Sequence, residues 1–165
     1  MYGGISLIGW FHTVIGIAGI VSGLYLLFRF KFIDIWSRLG KFYLSCTFLA
    51  SASSLFIYSA TGSFNIAHLL SILTILAICV ALILDKKNLL GFLTIYIKEL
   101  ALSATVLFSI LPTTAEVLKR LPPDDPFVES IDDPLVIKFY ITYLIVYSVF
   151  ALYQIYIISK KSYHE

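Results

Sequence analysis

Charge is what this sequence has least of. Of its 165 residues only 13% are Asp, Glu, Lys or Arg, while 59% are hydrophobic. A soluble domain carries roughly 25% charged residues, so the shortage excludes an ordinary water-soluble globule and points to a bilayer as the solvent. Cysteine is nearly absent too. Cys46 and Cys79 both fall inside apolar runs, which leaves no disulfide framework to expect. No basic residue precedes the first apolar run and no small-x-small site follows it, which argues against a cleaved signal peptide. Cys-x-x-Cys and His-x-x-Glu spacings, a phosphate loop, a nucleic-acid patch and a catalytic nucleophile are also missing. The sequence favours a role without catalysis.

What is present is a series of long apolar runs. Five of them approach the ~20 residues that cross roughly 30 Å of hydrocarbon: about 5–28, 42–60, 65–84, 89–111 and 135–158. The expected fold is a single all-α transmembrane domain over 1–165, a bundle of five helices. The fourth run is ambiguous. Residues 88–120 read as one helical stretch, so its span is either 89–111 with Lys98 inside it or 98–118, with Pro112 ending or kinking it in both frames. Lys98 can lean back towards the nearer membrane face; Glu99 is shorter, and neighbours in sequence do not face each other on a helix.

The basic residues set the expected orientation. Arg29, Lys31, Arg38 and Lys41 flank the first connector, Lys86 and Lys87 the third, and Lys160 and Lys161 the C-terminal tail. The other side offers only Lys119 and Arg120, in a connector at 112–134 that also carries Glu116, Asp124, Asp125, Glu129, Asp132 and Asp133. By the positive-inside rule, eight against two places the N-terminus outside and the C-terminus in the cytoplasm.

Four short motifs occur in order: His12 in the first run, "SRLGKFY" opening the second, "FNIAHLLSI" opening the third and "TTAEVLKRLP" after the fourth. Over about residues 8–122 the chain resembles a family of predicted bacterial membrane proteins, domain of unknown function 2306. That family has a histidine in its first helix, His-Arg-x-Leu-Gly before its second, and further histidines in its third and near its fourth. Here Trp36 stands where the second histidine would be, and by spacing Lys98 stands where the fourth would be. The resemblance implies the architecture but no activity, and the two-haem arrangement that four histidines would suggest is absent.

Two histidines remain inside the expected spans, His12 and His68, both in the outer half and within roughly 6 Å of each other in depth. His12, Gly16, Gly19 and Gly23 share one helix face, so the histidine heads a smooth groove. An ionisable residue within a span is a functional-site candidate by default. His12 and His68 with the Gly16–Gly19 groove could hold haem b or a quinone, and His12, His68 and Glu116 could ligate a metal. Against these stands a plain alternative, in which the glycines let two helices approach and the histidines bond across helices.

The last run is rich in tyrosine, and Tyr147 lies mid-span, where its hydroxyl should face another helix rather than lipid. The acidic, proline-rich connector reads as a solvated linker or as a docking lip. Small-residue stripes, a tyrosine-lined helix and an acidic lip together suggest an accessory or assembly subunit meeting other membrane subunits. The alternatives are a small redox protein holding haem b or quinone through His12 and His68, or, less favoured, a proton- or metal-coupled transporter.

Overall fold

A chain in hydrocarbon must satisfy its backbone polar groups internally, and an apolar run of 20 residues does so by winding into a helix. The computed structural model describes residues 7–57 and 62–162 of the chain. It has five helices: α1 (Leu7–Phe30), α2 (Arg38–Ser54), α3 (Ile66–Lys86), α4 (Leu93–Arg120) and α5 (Pro134–Ser162), with no strand among the described residues. The first residues of the expected first span, the last of the second and part of the uncharged turn after it lie outside the described residues.

Four helices, α1, α3, α4 and α5, are long and apolar enough to cross a membrane. The exception is α2. It has 17 residues, about 26 Å of helix, at the lower limit of a spanning length. It is also less apolar, because Ser, Thr and Gly fill the face it turns inward: Gly40, Thr47, Ser51 and Ser53 are buried there beside Tyr43 and Cys46. Its outer stripe is apolar in the middle, with Phe42, Phe48 and Leu49 exposed, while Arg38 and Lys41 lie in its first turn.

Each helix packs against its predecessor, and α4 also touches α1, so α1 to α4 close into a ring. α5 stays outside the ring and packs along α4. The main core, Leu26, Leu27, Tyr43, Ala81, Leu102 and Val106, takes in Ile33 and Ile35 from the α1–α2 connector. A second, smaller cluster joins Ala115 of α4, Val128 of the acidic connector and Val136 of α5.

The fourth helix corrects the expected start of the 88–120 stretch and contains the 98–118 frame. Residues 87–92 form a tight corner in which Gly91 takes a left-handed φ of +56°, so the helix starts at Leu93 rather than 88 or 89. Nor does Pro112 end the helix, which continues to Arg120. A proline removes one backbone donor and leaves the later ladder intact. Ala115 then anchors the last turns by packing under Val128 and Val136. The acidic connector is correspondingly shorter, 121–133, and is no free linker: Val128 N–H donates to the Leu118 carbonyl at 3.3 Å and Phe127 N–H to Leu121 at 3.1 Å.

Candidate functional site

The groove on α1 is filled by α2. His12 Nδ1 lies 3.0 Å from the Ala50 carbonyl oxygen and 3.2 Å from Ser53 Oγ, tying the start of α1 to the end of α2. Below it the two backbones converge. A Cβ at Gly16 would stand 3.9 Å from Ala50 Cβ, one at Gly19 3.2 Å from Thr47 Oγ1, and one at Gly23 2.5 Å from the Tyr43 ring. The same Gly23 position would press Val106 at 2.9 Å, so glycine there is what lets α1 touch α2 and α4 together. Tyr43, wholly buried at this junction, hydrogen-bonds Thr105 of α4.

His68 occupies a different setting. Asn65 caps α3, its Oδ1 accepting from Ala67 N–H at 2.9 Å and His68 N–H at 3.3 Å. His68 Nδ1 in return meets the Asn65 N–H at 3.3 Å, which completes a reciprocal capping box with histidine in the place usually held by Glu or Gln. The Phe64 ring stacks on the imidazole at 5.3 Å. "FNIAH" is thus a helix-start device.

Glu116, the third expected metal ligand, pairs instead with Arg120 one turn on, at 2.8 Å and half exposed. Among the described residues no three His, Cys, Asp or Glu side chains gather where they could hold a metal ion. The proposed His12–His68–Glu116 set is therefore not assembled. α1 packs on α2 and α4 rather than on α3, and each of the three side chains has a neighbour of its own.

The densest polar cluster lies at the opposite end of the bundle. Asp85, near the end of α3, accepts from Trp36 Nε1 at 2.8 Å and from Lys98 Nζ at 3.1 Å. Lys98 also reaches Glu99 Oε1 at 3.3 Å, which corrects the expectation that these sequence neighbours stay apart: the long lysine stem curls back along the helix. Glu99 is buried, and its Oε2 has no hydrogen-bond partner among the described residues. Trp36 of the α1–α2 connector and Lys98 of α4 thus meet on one carboxylate.

Sequence reading passed over Asp85. It also passed over Gln154, although a lone amide in an apolar span is a visible signal. Gln154 is fully buried: its Oε1 accepts from Ser103 at 2.9 Å, and its Nε2 donates to the Lys31 carbonyl at 2.7 Å. Lys31 sits at φ +68°, the left-handed position just past α1, so α5 holds the turn that ends α1. Tyr147 faces α4 and donates to the Leu100 carbonyl at 3.1 Å. The side chains that cross between helices are mostly hydroxyls and amides bonded to one another, which is the chemistry of helix cohesion in hydrocarbon. No family model, curated protein or solved structure matches this chain.

Proposed function

We propose that this chain is a five-span protein of a bacterial inner membrane, N-terminus outside, serving as a non-catalytic accessory or assembly subunit of a larger membrane complex. The observation that carries this reading is α5. Only 6% of its apolar window is buried, against 28–33% for the other three long helices, so most of the surface of this helix is left to meet something other than this chain. The shortness of α2 is compatible with a fifth span because its polar side is inside the protein and its exposed middle is apolar. The resemblance in motif order to the domain of unknown function 2306 family implies the same architecture.

A photo-crosslinking residue at Ile145, Val149 or Leu152, all exposed on α5, tests the partner directly in native membranes. Adducts to one defined membrane protein are expected. Lipid adducts alone at all three positions would remove the accessory reading.

One feature supports the second reading, a haem b or quinone held through His12 and His68. If His12 donates Nδ1–H to the Ala50 carbonyl, Nε2 is left with its lone pair, the arrangement usual in ligating histidines. The chain purified in mild detergent from haem-replete cells distinguishes the two. A Soret band lost in both His12→Ala and His68→Ala would favour the redox reading; a colourless protein without extractable quinone favours the subunit.

A further inference from the structure

The corner between α3 and α4 is unusual for a chain end lined with charge. Leu89 is 61% exposed, Leu90 46% and Phe92 78%, so three large apolar side chains project from a six-residue turn. Immediately before them, Lys86 and Lys87 are exposed and have no acidic partner among the described residues. Beside the turn lies an open cleft of about 480 Å³ lined by Lys86, Asn88, Phe92, Thr94, Ile95 and Tyr96. The carboxylate in its wall, Asp85, is already held by Lys98 and Trp36.

We infer that this corner binds the headgroup of an anionic phospholipid, with its phosphate against Lys86 and Lys87 and its upper acyl chains against Leu89, Leu90 and Phe92. Charge complementarity and the apolar corner point to the same occupant. Two uncompensated ammonium groups call for an anion, and a soluble anion would have no use for the exposed leucines and phenylalanine beside them. A lipid joins both chemistries in one molecule at the depth where a spanning helix ends. Trp36, 60% exposed and fixed through its indole N–H to Asp85, adds an interfacial aromatic at the same level. The inference rests on the membrane-spanning reading but not on which side the corner faces.

Native mass spectrometry of the full chain in mild detergent, titrated with phosphatidylglycerol or phosphatidylcholine, tests it. Phosphatidylglycerol adducts should dominate, and Lys86→Gln with Lys87→Gln should weaken them by about tenfold or more, given the pull of two cations near an anionic surface. Lys160→Gln, at another exposed lysine, should leave them unchanged. Equal binding of the two lipids, undiminished adducts in the double variant, or full displacement by soluble glycerol phosphate would overturn the lipid site. Carbonate washing of native membranes keeps the underlying reading separate: a chain released by the wash is not integral, and both proposals then fall.

Discussion

Each glycine along α1 meets a different neighbour, and the difference sets the sign of an alanine substitution. Gly16 has room, since the nearest atom to an added Cβ would be 3.9 Å away. Gly16→Ala should therefore be neutral or raise the stability, by the roughly 0.5–1 kcal/mol that alanine gains over glycine in a helix. Gly23→Ala should lower it by about 1–3 kcal/mol, because the Tyr43 ring would have to move out of a full core. Gly40→Ala should be worse, since its Cβ would fall 1.8 Å from the Asp34 carbonyl oxygen and backbone cannot swing aside. Thermal unfolding in detergent checks the order, and equal effects at Gly16 and Gly23 would contradict this packing. His68 makes a second test at this scale. His68→Ala should cost about 1 kcal/mol through the lost cap, and His68→Gln should restore most of it, because Gln can close the same box. The helix-face pattern of His12 and the glycines was legible because a period of 3.6 aligns them. What covered them was not, since nothing local says which neighbouring helix is small enough to approach.

Among the elements, α3 and α4 are held together at one end by an ion pair and at their common corner by Gly91. Lys98 and Asp85 are 21% and 16% exposed, between a surface pair and a buried one. Removing one partner by Asp85→Asn or Lys98→Met should cost about 2 kcal/mol, because the other charge stays desolvated. The double substitution should cost less than the sum of the singles, with the shortfall measuring the coupling. Additive losses in urea or thermal unfolding would mean that the pair contributes nothing. Lys98 stood out in the sequence as a charge inside an apolar run. Asp85 did not, because 13 residues and a chain reversal separate the two, and only the turn at 87–92 brings them within 3.1 Å. The α4 limits were misread for a related reason. "LLGFL", residues 89–93, has no polar side chain, and hydropathy alone cannot tell a corner from a helix. Pro112 was expected to end or kink the helix; it does not end it, and Ala115 beyond it packs in a buried cluster.

At the scale of the whole molecule, the proposed crossing of α2 beside its four longer neighbours would put all eight expected cytoplasmic basic residues on one side. α2 is shorter than the four helices long and apolar enough to cross, and packs between α1 and α3. Single cysteines introduced into a chain with Cys46 and Cys79 replaced, then labelled in intact cells with a membrane-impermeant maleimide, measure this directly. Asp34→Cys and Ser63→Cys flank α2, while Lys86→Cys and Asp125→Cys mark the two faces independently. The account predicts labelling at positions 63 and 125 from outside, and at 34 and 86 only after permeabilisation. Positions 34 and 63 labelling on the same side would mean that α2 does not cross, and labelling at 86 but not 125 in intact cells would reverse the orientation.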